Sequence, residues 1–599
     1  MPYISNITQR RPTRKRSINV IPSSWSPYPS VDTLYDHTQY LSPTRPIASF
    51  PASPCPVAQV AVIGAGAAGM VAAYELLRAG VQPTILEATD RVGGRTWSQN
   101  FEPLRRGAKP VWAEMGAMRV PVSQKLFWHY ANGFNVQTGT FPDPGVAPTL
   151  LSYENQLHQW QFPGQPTSPV PPVPFTDIAV AFDKFIMPFA SKIWEPWYNN
   201  GGTPDWNQVA AIWQGYIDKY REVSVYDMVR KGIPAWGDEQ LNAFSALGVG
   251  SGGFGTLYRV GALELLRNVI NGWEIDQRLI IGWGDSSGPE TLTGINGLAH
   301  MFRNQTVTWS NGQTVSLATL NAVKFNSKVT RIERDPVSNG LKVYWTNTSN
   351  GKESMSAFAA VVVAVSTRSM EIDIGMTLPS GPEVDLKSED LRNAMRNLFH
   401  TASSKMVIRT ATKFWLDANG KPIPTIPQTI QTDELPRGVY CLDYPHTSEG
   451  MVILSYTWGD DSSKISCIDP VERFRKFKEI LGRLAPQFAA GLVPARGERD
   501  ILNVDWEMSE HYYGAFKLQL PGQDSLVQAA YYQFLSARNR ATDPGLYLAG
   551  DSVSWSGGWV EGALQTGVNA ACAVAKHLGG TLRARSPLSQ NPKLYNYSG

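Results

Sequence analysis

The chain has 599 residues, 42% of them hydrophobic and 18% charged, so it can bury a sizeable core and lacks the charge-rich, aromatic-poor composition of disorder. A net charge of +3 is too small for the field a dedicated nucleic-acid binder uses, and the longest apolar run, nine residues at 357–365, is about half a membrane span. The four cysteines, Cys55, Cys441, Cys467 and Cys572, form no CxxC pair, and none of the eight histidines stands in HxH or HExxH spacing, so a reducing compartment, the cytoplasm, is expected and a metal site is not.

In chain order, the first feature is a basic arm. Arg10, Arg11, Arg14, Lys15 and Arg16 precede eight prolines between 21 and 56, and no apolar h-region follows the charges. A secretory signal does not fit and a transit peptide stays open. Residues 1–56 are expected to run extended over the surface, with folded structure starting at Val57. A buried strand from Gln59 to Ile63, an Ala/Leu-rich helix from Ala68 to Arg78 and a second strand from Pro83 to Leu86 then make a βαβ unit. Between the first strand and the helix stands Gly64-Ala65-Gly66-Ala67-Ala68-Gly69, a GxGxxG in the context that gives it mechanical meaning. Gly64 permits the tight turn, Gly66 lets a pyrophosphate approach the backbone, and Gly69 allows close helix packing, while the free amides at the helix mouth favour phosphate. Glu87, at the end of the second strand, is placed to accept from the ribose hydroxyls of a dinucleotide.

Residues 121–294, rich in tryptophan and glycine, read as an inserted substrate domain with a helix over Thr256 to Val269. Alternation from Ala322 to Trp345 around Ser338-Asn339-Gly340 predicts a hairpin. Asp469-Pro470 caps a helix whose Val471, Phe474, Phe477, Leu481 and Leu484 form a core-facing stripe. Near the C-terminus, Gly545 to Asp551 reads as a buried strand ending in Gly550-Asp551. Gly557-Gly558-Trp559-Val560-Glu561-Gly562 then opens an Ala-rich helix to about Leu578, whose N-terminus can stabilise negative charge. Because both ends of the chain serve one ligand, the expectation is an α/β protein with a discontinuous dinucleotide domain (57–120, 295–370 and 511–599). An α+β substrate-binding part, 121–294 and 371–510, is threaded through it.

Two cations stand out. Arg119 offers a planar fork suited to a carboxylate, and Lys405 lies on an apolar strand where an unpartnered ammonium would be costly. Cys441 reads either as a buried structural thiol or as a group near the substrate.

The GAGAAG turn, Arg91-Val-Gly-Gly-Arg95, Glu114-Met-Gly-Ala-Met-Arg119, Ser403-Ser-Lys405, the RGVYCLDY segment at 437–444, Leu454-Ser-Tyr-Thr-Trp458, Gly514-Ala-Phe-Lys517 and GGWVEGA at 557–563 together resemble the flavin amine oxidase family. Segments 250–254 and 271–278 are similar to the subgroup of that family that acts on L-tryptophan. The resemblance implies a glutathione-reductase-type, Rossmann-like FAD domain joined to an α+β substrate domain. It implies non-covalent FAD held by Gly64, Ala65, Gly66, Ala68, Gly69, Glu87, Ala88, Arg91, Gly94, Arg95, Met118, Arg119, Val329, Gly550, Asp551, Gly558, Trp559 and Val560. It further implies that Arg119 and Tyr456 clamp the substrate carboxylate, that Lys405 serves flavin N5, and that Trp506, Gly558, Trp559, Phe254 and Phe516 surround the substrate.

The reaction implied is oxidative decarboxylation of L-tryptophan with O2 to indole-3-acetamide, CO2 and water, begun by hydride transfer from Cα. An L-amino-acid oxidase, giving 2-oxo acid, ammonia and hydrogen peroxide from an aromatic or other large L-amino acid, would use the same residues and stays open. The expected partners are the amino acid and O2, with no nucleic acid, no membrane and no metal, and a homodimer as the assembly to test.

Overall fold

The structure, a computed structural model, describes residues 37–51, 55–198, 206–247, 259–272, 276–284, 294–335, 340–376, 389–539 and 543–589. β1 (Gln59–Ile63), α1 (Ala67–Arg78) and β2 (Gln82–Leu86) form the expected unit. Gly64 has φ +96°, a left-handed backbone that side chains resist, and a Cβ on Gly69 would stand 2.0 Å from the Gly64 carbonyl oxygen. The turn and the helix can touch only because both are glycine.

α2 (Lys125–Gly133) follows, then the paired strands β3 (Thr149–Tyr153) and β4 (Gln156–Trp160). A helical layer comes next: α3 (Phe175–Tyr198), α4 (Trp206–Tyr220), α5 (Val225–Gly232), α6 (Asp238–Leu247) and α7 (Ala262–Asn271), packed around Phe182, Trp213 and Leu266. α7 starts later than the expected Thr256. Gly261 is extended at ψ 139°, bridges Ser224 and donates its N–H to the Gln519 carbonyl at 2.7 Å, so the helix begins after it. Onward run β5 (Val323–Lys324), β6 (Ser327–Arg334), β7 (Leu341–Asn347), β8 (Glu353–Phe358), β9 (Val361–Val363), β10 (Ser403–Thr410), β11 (Thr429–Thr432), β12 (Gly438–Leu442), β13 (Gly450–Trp458), α8 (Pro470–Leu484), β14 (Ile501–Asp505), β15 (Leu546–Leu548) and α9 (Val560–His577).

Three sheets organise these elements. β5-β2-β1-β9-β15 is parallel throughout and draws strands from three distant stretches of chain. β6, β7 and β8 form an antiparallel meander, with β6 and β7 paired as the predicted hairpin requires, while Ser338 and Asn339 of its turn lie outside the described residues. The third sheet has the order β14-β10-β13-β12-β11-β3-β4, so the insert supplies its last two strands. Apolar side chains of α1, α9 and the parallel strands share one core, with α9 buried along almost all of its length. Among the described residues no helix is long and apolar enough to cross a membrane.

Three expectations change. The insert boundary at Pro121 is too early, because Leu126, Phe127, Trp128 and Phe134 belong to the core of the parallel sheet. Glu561 fixes α2 there, its two carboxylate oxygens accepting the amides of Leu126 at 2.9 Å and Phe127 at 2.8 Å. In α8, Val471 is exposed, while Phe477, Leu481 and Leu484 face inward as predicted, since Asp469 and Pro470 place the first turn outside the core. Folded structure also begins before Val57: Tyr40 and Ile47 are buried, and Ala48–Ser49 pairs antiparallel with Thr581–Leu582.

Prolines at 43 and 46 stop helix formation in this early segment but not docking, because Arg78 satisfies its carbonyls. The Arg78 guanidinium binds the Ser42 carbonyl, the Arg45 carbonyl at 2.9 Å and buried Glu75 at 2.9 Å. Removing one member of a buried pair leaves the other charge uncompensated. Arg78→Ala is therefore expected to lower the free energy of unfolding by about 3 kcal/mol, measured by urea titration, and to open 37–51 to protease. Unchanged stability would contradict this anchoring.

Candidate active site

A cleft of about 1330 Å³ opens where the strands of the parallel sheet end, the place where open α/β sheets bind ligands. Gly64 after β1, Glu87 after β2, Ala364 after β9 and Gly550 after β15 all line it. Two groups of side chains flank the glycine turn, one around Glu87 and one around Lys405.

In the first group, Gly66 caps α1 with no side-chain hydrogen bond, and a Cβ there would meet nothing within 4 Å, so the helix mouth faces open space. Its unpaired amides and positive dipole end make this an anion site. Glu87 Oε2 accepts the Ala65 amide at 2.7 Å, and Oε1 accepts Thr89 N at 3.0 Å and Thr89 Oγ1 at 2.7 Å. Glu87 thus stiffens the glycine turn as well as bordering the cleft, where only a ribose contact had been expected. Gly64, Gly66, Ala68, Ala88, Gly94, Val329, Gly550, Asp551 and Val560 also line it.

The two arginines of the second glycine turn part company. Arg95 lines the cleft and is paired with Asp551, and its Nη1 donates to the Ala515 carbonyl at 2.7 Å. Arg91 is not a lining residue. It reaches the Gly94 carbonyl at 2.7 Å and Tyr512 Oη at 2.9 Å, with its guanidinium 4.4 Å from the Trp97 ring centre. Ala65, Gly69 and Met118 likewise stand outside the lining.

The second group is built by strand register. Lys405 on β10 lies opposite Tyr456 on β13, and Nζ sits 4.8 Å from that ring's centre. Lys405 is 2% exposed, and its ammonium donates to the carbonyls of Glu114 at 2.9 Å and Gly116 at 2.5 Å. Those carbonyls explain how a lysine survives in an apolar strand. Burial pushes Lys405 down to about 7, opposed by Glu114 and reinforced by Arg119. Burial likewise pushes Glu114 up to about 8, against bonds from Ser98 Oγ at 2.8 Å and Ile295 N at 3.1 Å. Tyr456 is raised by burial to about 12 and stays protonated.

Trp506, Phe516, Gly558 and Trp559 complete the wall. The Trp506 indole donates to the Met115 carbonyl at 3.3 Å, and the Phe516 ring lies 5.0 Å from Trp458. Arg119 stands behind the lining: its guanidinium is paired with Asp143 and rests 5.1 Å from the Phe141 ring centre and 5.8 Å from that of Tyr440. Its charge nonetheless acts on both Lys405 and Tyr456. Phe254 lies outside the described residues. Cys441 is fully buried among Ile430 and Val452 and does not line the cleft, so the structural alternative for that thiol holds.

Several lining residues have no local sequence signal. Lys328, Ser369, Asp373 and His511 cluster beside Val329, with Lys328 Nζ 2.9 Å from Asp373, and Tyr512 joins them through Ser366, whose Oγ donates to the Tyr512 carbonyl at 3.2 Å and accepts the Ser369 amide at 3.1 Å. Asp143, the partner of Arg119, sits in a loop among prolines and reads as an ordinary turn acid.

Residues 67–575 match the family model described as flavin containing amine oxidoreductase. The chain belongs to that family. It is 38% identical over 604 residues to the tryptophan 2-monooxygenase of Pantoea agglomerans pv. gypsophilae, covering 95% of this chain and 98% of that one. Identity to the tryptophan 2-monooxygenase of Pseudomonas savastanoi is 37%, covering 95% and 99%. An L-amino-acid oxidase of Siganus canaliculatus is 22% identical, covering 86% and 85%. Among solved structures, cyclohexylamine oxidase from Brevibacterium oxydans IH-35A superposes with a TM-score of 0.58 at 18% identity, covering 87% of this chain and 99% of that one. Putrescine oxidase bound to putrescine gives 0.59 at 16%, covering 86% and 98%, a likeness of fold.

The protein is thus an oxidoreductase that uses a flavin, and the residues present fit one: an uncapped helix mouth, an open glycine face and a buried cation beside the cleft. Lys405 is cationic below about pH 7 and neutral above it. The rate of flavin reduction is therefore expected to rise through pH 7 in the wild type, and Lys405→Met should remove that inflection in stopped-flow traces. An unchanged inflection in the variant would assign it to another group.

Proposed function

We propose that the protein is an FAD-dependent enzyme that oxidises and decarboxylates L-tryptophan with O2, giving indole-3-acetamide, CO2 and water. The observation that carries this reading is the near full-length relationship, at 37–38% identity, to proteins named tryptophan 2-monooxygenase. The cleft supports it, with a polar corner for an amino acid's main chain and an aromatic wall for its side chain.

Bound without a covalent link, FAD supplies the acceptor for the hydride of the substrate Cα and passes the electrons on to O2. The Gly66 backbone at the mouth of α1 holds its pyrophosphate, while Glu87, Ala88 and Val329 border the adenosine. Asp551, fixed by Arg95, faces the polyol chain, and the N-terminus of α9 at Trp559 and Val560 favours negative charge beside it. Arg119 and Tyr456 hold the substrate carboxylate, Arg119 sharing its guanidinium between that carboxylate and Asp143. The backbone at Gly558 receives the amine, so that Cα is held in one orientation and the encounter becomes effectively unimolecular. Lys405 holds a proton or a water at Nζ near the reacting centre. Trp506, Phe516 and Trp559 exclude bulk water, which keeps the imino acid bound until the peroxide made from O2 and the two hydride electrons attacks its imine carbon; CO2 leaves as the O–O bond breaks, giving the amide and water. The proposal includes a cytoplasmic location, which four unpaired cysteines suit, and a homodimer, which light scattering can read.

The decisive assay is product analysis with L-tryptophan under air. Indole-3-acetamide and CO2, with little free peroxide, is the expected outcome. Indole-3-pyruvate with stoichiometric ammonia and peroxide would replace this reading with an L-amino-acid oxidase.

A further inference from the structure

α7 is buried over its whole length, yet Glu264, Arg267 and Asn268 are polar. Each reaches the C-terminal part of the chain that walls the cleft. Glu264 Oε1 accepts from Lys517 Nζ at 3.0 Å and from the Gln519 amide at 2.9 Å. Arg267 donates to Gln519 Oε1 at 2.6 Å and Asp524 Oδ1 at 3.1 Å. Asn268 Oδ1 accepts from the Trp559 indole Nε1 at 2.9 Å, while its Nδ2 donates to the Glu264 carbonyl at 3.0 Å. An indole N–H only donates and a carbonyl only accepts, so the amide cannot be turned round without losing both bonds.

We infer that Asn268 is a positioning residue that sets the substrate's side-chain range by fixing the Trp559 indole in the cleft wall. The backbone at this turn is already fixed: Gly558 has φ +79°, and a Cβ there would stand 2.9 Å from the Phe516 ring. Trp559 then caps α9 in an extended conformation. What the backbone leaves open is the direction of the indole, and its part-buried N–H points to Asn268 Oδ1. Without that acceptor the donor loses this bond and the indole turns to recover one, so the wall shifts. Arg119, Lys405 and Tyr456 lie on other elements, so recognition of the carboxylate is untouched, and the amine contact at Gly558 is common to every amino acid tested. The helical insert thereby reaches the substrate through one hydrogen bond, with Glu264 and Arg267 holding 516–524 alongside.

This inference rests on the proposed amino-acid site, and the test separates the two. The wild-type holoenzyme is assayed first, by oxygen consumption, for kcat/KM with L-tryptophan and L-phenylalanine. If L-tryptophan is not turned over, the proposed function fails, and the ratio is taken between the two best amino acids instead. Asn268→Leu is expected to lower the tryptophan-to-phenylalanine ratio about tenfold, on the order of what an orphaned donor costs. Asn268→Asp keeps the acceptor oxygen for the indole but loses the bond to the Glu264 carbonyl, so it should lower stability while holding the ratio within about twofold. In a Trp559→Phe background, where no N–H needs an acceptor, Asn268→Leu should change the ratio by less than about twofold. An equal loss for both substrates, or the same loss in both backgrounds, would overturn the inference. Should Asn268→Leu fail to fold, Asn268→Asp and Trp559→Phe decide it: the ratio is kept by the first and lost by the second, and a ratio lost in Asn268→Asp or kept in Trp559→Phe overturns the inference.

Discussion

Arg95 and Asp551 meet across 456 residues of chain, one at the end of the glycine turns that follow β2 and the other just past β15. The pair is largely shielded, at 23% and 11% exposed side chain, so its attraction is screened less than that of a surface pair. Around it the last part of the protein docks on the first, with β15 beside β9 and α9 against α1. The parallel sheet has no complete cleft until that docking occurs, because the ends of β1, β2, β9 and β15 each supply a lining residue. The chain between leaves and returns to this parallel sheet, whose strands come from three distant stretches of sequence.

The third sheet then does local chemistry through register. Because β10 and β13 pair Lys405 with Tyr456, and β14 runs alongside β10 to deliver Trp506, three side chains with no sequence proximity share one end of the cleft. Lys405 is tolerated there through the carbonyls of Glu114 and Gly116, which come 291 and 289 residues earlier in the chain. The same burial that makes the ammonium costly brings its ionisation near neutrality, where a lysine can hold or release a proton. Tertiary packing and acid–base behaviour are therefore one property of this residue.

What the sequence shows on its face is what is encoded locally. The glycine spacing before α1, the Asp469-Pro470 cap and the Gly550-Asp551 strand end each need only neighbouring residues, and each appears where expected. Lys405, Tyr456, Trp506 and Trp559 could be named through family resemblance, and they do gather at one cleft. Asp143 beside Arg119, Asn268 beside Trp559 and the docking of 37–51 were not legible, since each depends on a partner brought in by tertiary packing. Val471 reads as core by helical spacing and is exposed, because periodicity gives a face but not where that face ends. Arg91, a basic residue in a phosphate-binding motif, shows how tertiary partners add to a local reading: it also holds the Gly94 carbonyl and Tyr512.

The central claim is that this flavin cleft recognises an amino acid by its carboxylate. Anaerobic mixing of the flavin-loaded enzyme with L-tryptophan and, separately, with tryptamine tests it most directly, since the two share indole and amine and differ only in that group. Reduction by L-tryptophan at least about a hundredfold faster than by tryptamine is the predicted result, the scale of losing a charge-assisted clamp. Equal rates would contradict the account and leave a plain amine oxidase with no use for Arg119.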